Sequence, residues 1–326
     1  MTARPRGRYA PTPSGWIHVG NARTALVAWL SVRATGGSLV WRLEDLDPPR
    51  EMPGAADAAI ADLRWLGLDW DEGPDEGGPY APYVQSERTA DYDAALRRLA
   101  ETERLFPCSR SRKELREIAR APHRRAAGGT VAHPAAYPRA LRPTRLDGGW
   151  FERFGTEGDG GAALRFLVDD GPVRFVDRLQ GEVVERVDET VGDFVLKRRD
   201  GLYAYQLAVV VDDLAMGITD VVRGMDLIDS TARQIQLIEA LGGTPPKYGH
   251  VPLVLNPAGE KISKRDGGLT LRALRDAGVA PETLVGQFAW SLGLFGRPEP
   301  CRPVDLIERF RWDRLRQEPW ILPAGF

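Results

Sequence analysis

A chain of 326 residues, 43% hydrophobic and 28% charged, has room for about two folded domains, which excludes disorder as a description of the whole. No run approaches the ~20 apolar residues of a membrane span, the basic start MTARPRGRYAPTPSGW has no signal-peptide h-region, and two cysteines, Cys108 and Cys301, cannot build a disulfide framework. A net charge of −2 gives no global sign of a nucleic-acid partner, so the expectation is a soluble cytoplasmic protein.

The chain opens with a short strand-like run around Arg8–Ala10, then TPSG, then a helix from Asn21. In that helix Ala22, Ala25, Leu26, Trp29 and Leu30 recur at the spacing of an amphipathic stripe, and Gly36–Gly37 end it. SLVWRLEDLD reads as a strand stopped by Pro48–Pro49. Further helices are expected through Ala56, Ala59, Ile60 and Leu63, and through Tyr92, Ala95, Leu96 and Leu99. This alternation predicts an α/β fold with a doubly wound parallel sheet.

From about Phe106 to Asp200 the pattern changes to a basic, Ala/Arg-rich stretch followed by short strand-like runs (LRFLV, PVRFVDRL, EVVERV), read as an inserted α+β module. The parallel pattern resumes at YAYQLAVVVDD, where Leu207–Val211 read as a central strand buried on both faces. A strand at Gly217–Val222 and a helix at Ser230–Leu241 follow. Beyond Ile262 a helical segment is expected, with Leu271, Leu274, Leu284, Phe288 and Leu292 in the core. The expected division is 1–105 and 201–255 for the two halves of the sheet domain, 106–200 for the insert, and 256–326 for a loop and helical C-terminal segment.

Three clusters carry possible chemistry. In APTPSGWIHVGN a strand enters a Pro/Gly turn and then a helix, so backbone N–H groups and a positive dipole end converge where a phosphate would sit. Gly20 permits close approach and His18 can donate to phosphate oxygens; alone, an H-x-G is more often a plain loop. EKISKRDGG is a compact cationic loop whose lysines could follow a phosphate through a reaction, or a solvated turn. RLEDLD puts Glu44, Asp45 and Asp47 at the end of a strand, with Glu44 and Asp45 on opposite faces and so not a paired acid/base site. Glu44 could receive a substrate ammonium or pair with an arginine. Between Arg110 and Arg145, ten Arg or Lys stand against two Glu, either a solvated connector or an electrostatic footprint for phosphates.

Together, HVG near the N-terminus and KISKR late in the chain resemble the HIGH and KMSKS signatures of class I aminoacyl-tRNA synthetases. RYAPTPSGWIHVGNARTALVAWL, WRLEDLDPPR, GITDVVRGMDLIDSTARQIQL and KISKRDGG resemble the glutamyl-tRNA synthetase group, from about Arg8 to Gly268. That resemblance implies a Rossmann-type class I catalytic domain. About 60 residues follow Lys264, too few for the helix-rich anticodon-binding region of the full-length enzymes. The resemblance therefore points to the short paralogues, the glutamyl-queuosine tRNA(Asp) synthetases, to which EDLDPPR and DLIDSTARQ are similar. GNARTAL and KISKRDG look more like the full-length enzymes. A truncated enzyme charging the tRNA 3′ end, or a non-catalytic tRNA- or nucleotide-binding paralogue, stays open.

The resemblance implies L-glutamate, ATP with Mg²⁺ and a queuosine-containing tRNA(Asp) as partners of a monomeric ligase. It places glutamate against Arg8, Tyr9, Ala10, Pro11, Thr12, Glu44, Tyr205 and Arg223. ATP falls against His18, Gly20, Asn21, Lys261, Ser263 and Lys264, with His18 and Lys264 holding phosphates in the transition state. Thr12 stands where the group usually has serine. Of a zinc pattern C-x-C…Y-x3-C found among the paralogues, only Cys108 and Tyr137 match, Arg110 and Leu141 occupying the other positions; no zinc is expected, because a tetrahedral site needs four ligands.

Overall fold

Arg6–Tyr9 form the first strand (β1), and Ser38–Trp41 (β2) lie parallel beside it in the register Gly7–Leu39 and Tyr9–Trp41. The computed structural model describes residues 4–111, 113–115, 136–146, 149–154, 161–262 and 269–324. Between the two strands runs helix α1 (Val19–Arg33), packed on β1, β2 and the later strand β8 (Asp220–Gly224). The turn back to β2 needs glycine at Gly37: a Cβ there would lie 2.2 Å from the Pro5 carbonyl oxygen.

α1 departs from the expected amphipathic stripe. Ala22, Arg23 and Ala25–Val32 are all buried: the sheet packs on the helix, its apolar residues share one core cluster with Leu284, Val285, Phe288 and Ala289 of the C-terminal helix α9 (Pro281–Ser291), and Arg23 donates to Ser291 of that helix at 2.9 Å. A helix covered all round reads as uniformly apolar rather than as a stripe.

The main sheet has six strands in the order β2-β1-β8-β9-β5-β6. Its strands β9 (Lys247–Val251) and β5 (Val173–Asp177) run parallel to β8, and only β6 (Gly181–Glu185) is antiparallel. Helices α2 (Ala55–Trp65) and α3 (Thr89–Glu101) match the expected spans. A second sheet of β3 (Leu105–Cys108), β4 (Ala163–Phe166) and β7 (Val195–Lys197) stands apart. The stretch 106–200 is thus shared between two sheets, its β5–β6 hairpin extending the main one. Short helices α4 (Trp150–Phe154) and α5 (Val187–Thr190) complete it.

Two strand expectations fail. SLVWRLEDLD is a strand only to Trp41; beyond it Leu43 makes a single bridge to Val84, and Pro48–Arg50 form a 3₁₀ turn. YAYQLAVVVDD is a helix, α6 (Tyr205–Ala215), in which every residue from Gln206 to Asp213 is buried. A short apolar run does not distinguish a buried strand from a buried helix, and burial on all sides overrides the strand preference of Val209–Val211. Helix α7 (Ile228–Ala240) packs beside it. After the short strand β10 (Val254–Leu255), helix α8 (Leu271–Asp276) and α9 bury Leu271, Leu274, Leu284 and Phe288 as expected, and Leu292 follows. The chain then proceeds by 3₁₀ turns to β11 (Trp320–Ile321), paired with β10. Among the described residues no helix is long and apolar enough to cross a membrane.

Candidate active site

The strand order reverses at β1, with β2 on one side and β8 on the other, and open α/β sheets bind ligands beyond the strand ends at such a point. A cavity of about 430 Å³ opens there. Its wall takes Arg8–Thr12 from the end of β1, Glu44 from beyond β2, Tyr205 from the start of α6 and Arg223 from β8. His18, Gly20 and Asn21 from the start of α1, and Lys261, line its other part. These residues are the glutamate and ATP sets expected from the sequence, except Ser263 and Lys264, which lie outside the described residues.

His18 caps α1. Its Nδ1 accepts hydrogen bonds from the backbone N–H of Gly20 (3.1 Å) and Asn21 (3.3 Å). Those two donors are therefore spent within the protein rather than turned toward a phosphate, contrary to the expectation for this turn. The cap assigns the tautomer: with Nδ1 accepting, the ring proton sits on Nε2, which can donate. Burial, aided by the charge of Lys261, lowers the His18 pKa and keeps the ring neutral. Lys261 is paired with Asp226 on the cavity wall.

A buried ion network sets the other end. Arg42, fully enclosed, donates to Asp213 at 2.8 Å and to Glu44 at 3.3 Å, and lies 3.6 Å from Asp212. Arg8 reaches both Asp213 oxygens through Nε at 3.3 Å. Asp212 is held in turn by Arg88 (2.6 Å), Gln85 (2.8 Å) and Tyr92 (3.1 Å). Glu44 and Asp45 do diverge, Asp45 accepting from the Ser86 backbone N–H and hydroxyl. The sequence reading missed Arg42, Asp212 and Asp213; charges set inside the apolar runs LVWRL and LAVVVDD were the available signal.

Burial raises the Glu44 pKa, with Arg42 and Arg8 acting against the rise. Were Glu44 to receive a ligand ammonium it would have to be ionised, and affinity for an amino acid would then fall as the pH drops through a value above the ordinary glutamate range of about 4.3. A pH profile of kcat/KM for the amino acid, with its acid limb above that value, is the expected result; a limb at or below it would contradict this reading of Glu44.

Arg223 differs from Arg8, the other arginine lining the cavity. It is 4% exposed, yet its hydrogen-bond partners among the described residues are all neutral: His250 Nε2 at 3.0 Å, Gln234 at 2.8 Å and Thr231 at 2.8 Å. A guanidinium has five N–H groups. These bonds use three of them and leave one N–H on each terminal nitrogen; two such groups can serve a carboxylate in a forked interaction. A buried cation held only by neutral groups attracts an anion from the cavity.

A second cavity of about 480 Å³ shares Thr12, Glu44 and Tyr205 with the first and is otherwise lined by Arg50, Arg110, Arg165, Arg198 and Arg199 among others. Most of the basic stretch 110–145 lies outside the described residues.

Cys108 and Tyr137 do meet: the tyrosine hydroxyl lies 3.5 Å from the sulfur and 3.4 Å from the Leu141 carbonyl oxygen. The Arg165 guanidinium stacks 4.4 Å from the Tyr137 ring, and Leu141 packs as part of the surrounding apolar cluster. A cation beside the ring and an apolar side chain in a ligand position do not fit zinc.

The comparisons follow the same geometry. Residues 5–323 match the family described as class I tRNA synthetases (E and Q), catalytic domain. The chain is 50% identical over 320 residues to the glutamyl-Q tRNA(Asp) synthetase of Symbiobacterium thermophilum, covering 98% of this chain and 96% of that one. It is 45% identical to the protein of the same name from Nitratidesulfovibrio vulgaris, with the same coverages. The chain belongs to the glutamyl-Q tRNA(Asp) synthetase family. Its members are ligases of the class I synthetase group. Among solved structures, a glutamate tRNA ligase from Elizabethkingia meningosepticum in complex with its amino acid superposes with a TM-score of 0.82 at 29% identity, over 99% of this chain and 68% of that one.

Proposed function

We propose that the protein activates L-glutamate with ATP and transfers it to the queuosine base of tRNA(Asp). The observation that carries the choice of amino acid is Arg223, a buried guanidinium with only neutral partners and two N–H groups to spare, in the same cavity as the carboxylate of Glu44. The two would hold the side-chain carboxylate and the α-ammonium, Thr12 adding its hydroxyl at the ammonium end. Glutamine, being neutral, leaves the Arg223 charge without a counter-charge in a desolvated site.

In the first step a glutamate α-carboxylate oxygen attacks the ATP α-phosphorus, and pyrophosphate leaves. In the second a queuosine hydroxyl attacks the acyl carbon, and AMP leaves. The protein's work is in-line positioning and stabilisation of developing oxyanion charge. His18 donates from Nε2 to a phosphate oxygen, and Lys261 and Lys264 supply cations. Mg²⁺ supplies charge neutralisation on phosphate oxygens; Asp226, the carboxylate near that end of the cavity, is engaged by Lys261. The second cavity shares Thr12 and Glu44 with the first and so adjoins the end proposed for the ammonium, and its arginines would suit the phosphates flanking an acceptor nucleoside.

For Lys264→Ala the expected result is a kcat about 100-fold lower with little change in the ATP KM, because its contact strengthens in the transition state. A pure KM effect would remove that role. The acceptor is tested by transfer of labelled glutamate to tRNA(Asp) lacking its 3′-terminal adenosine. Transfer to the queuosine-containing form and none to the form with guanine at that position is expected. Transfer that depends on the 3′ adenosine would instead assign the enzyme to 3′-end charging.

A further inference from the structure

Arg223, His250 and Asp177 occupy three neighbouring strands of the main sheet. Arg223 on β8 and His250 on β9 are directly registered, and Asp177, the last residue of β5, pairs with Tyr248, two positions before His250. A shift of two keeps side chains on one face, so all three project together. His250 and the Asp177 carboxylate are fully buried.

The hydrogen bonds run in one direction. The His250 Nδ1 lies 2.6 Å from Asp177 Oδ2, and its Nε2 accepts from Arg223 Nε at 3.0 Å. Arg223 can only donate, so Nε2 carries the lone pair and the ring proton sits on Nδ1, directed at the carboxylate. Asp177 is itself fixed, accepting from the backbone N–H groups of Leu179 and Gln180 (2.9 Å each) and of His250 (3.1 Å). Thr231 on α7 approaches the same ring nitrogen at 3.3 Å, and Tyr248 stacks on the imidazole at 6.2 Å between centroids. The ring is held neutral, chiefly by burial, with the Asp177 carboxylate pulling the other way and the charges of Arg223 and Arg8 adding to the burial effect.

We infer that Asp177 and His250 are positioning residues for substrate carboxylate recognition: the imidazole fixes the Arg223 fork while holding the Asp177 counter-charge one ring away from it. A carboxylate in the place of His250 would also orient Arg223, but would neutralise the charge that the ligand must meet. The neutral ring transmits orientation and leaves the cation unpaired. The inference rests on the proposed glutamate activation and names what sets its specificity.

The test is glutamate-dependent ATP–pyrophosphate exchange, measuring the KM for glutamate and for ATP separately, with thermal melting of each variant as a check on folding. Wild-type exchange establishes the reading on which the inference rests, and its absence would overturn both. His250→Leu removes the acceptor and should raise the glutamate KM about 10- to 100-fold, the range for losing one hydrogen bond to a charged group, with the ATP KM unchanged. His250→Gln returns a neutral oxygen acceptor and should recover most of that loss. In Asp177→Asn the oxygen stays with the Leu179 and Gln180 N–H groups, so the amide N–H₂ faces Nδ1, forces the proton onto Nε2 and sets it against Arg223 Nε–H. Its glutamate KM should rise like that of His250→Leu. Equal impairment of the Gln and Leu variants, a parallel rise in both KM values, or an unchanged glutamate KM in Asp177→Asn would overturn the inference.

Discussion

Arg223→Ala should reduce kcat/KM for glutamate by about 30- to 4000-fold while the folded protein survives. Truncating one member of a buried, hydrogen-bonded charge pair costs about 2–5 kcal/mol, and ~1.4 kcal/mol is a factor of ten. The partners left behind, His250, Gln234 and Thr231, are neutral, and the Asp177 carboxylate beyond His250 keeps its backbone N–H donors, so the main effect falls on the ligand. Arg223→Lys should recover little, since an ammonium cannot keep three neutral partners and still present a fork. Steady-state exchange kinetics over a range of glutamate concentrations reads this directly. Near-wild-type exchange in Arg223→Ala would remove the residue from the site.

Arg42→Ala should be the most destabilising single change near the cavity. Arg42 is completely buried and is the shared partner of Asp213, Glu44 and Asp212. Without it Asp213 keeps only Arg8 among the arginines that pair with it, and Glu44 loses the strongest influence opposing its burial. Stranding buried carboxylates in this way costs about 3–5 kcal/mol, which corresponds to a fall in Tm of roughly 4–7 °C for a chain of this size. The further rise in the Glu44 pKa should weaken amino-acid binding at neutral pH even in the molecules that stay folded. A melting curve within about 2 °C of wild type would show that the network contributes far less than its burial implies.

The parts of this site that were legible in the sequence are those carried by turn chemistry and by residues at strand ends. Gly36–Gly37, the loop from Ala10 to Ser14 and the helix that follows His18 could be read from local pattern, and so could Glu44 near a strand's carboxyl end as a candidate for a substrate ammonium. The resemblance added Arg8, Tyr205 and Arg223, which are distant in sequence and meet only through the fold. The failures have a common physical cause. LAVVVDD was read from its β-branched run, but its state is decided by tertiary burial that no local pattern reports. Its two aspartates then went unnoticed as the anchors of Arg42, Arg8 and Arg88. His250 was missed for a similar reason: one polar residue inside YGHVPL carries no signal until its strand is set beside those of Arg223 and Asp177.

Glu44, Arg8 and Arg223 are each held in position by the protein's own side chains, so glutamate activation should need no nucleic acid to assemble the site. The central claim is tested most directly by glutamate-dependent ATP–pyrophosphate exchange with purified protein and no tRNA. Robust exchange with glutamate, and none with glutamine, is the predicted result. Exchange that appears only when tRNA is added would contradict a preassembled site, and silence with glutamate under both conditions would contradict glutamate activation itself.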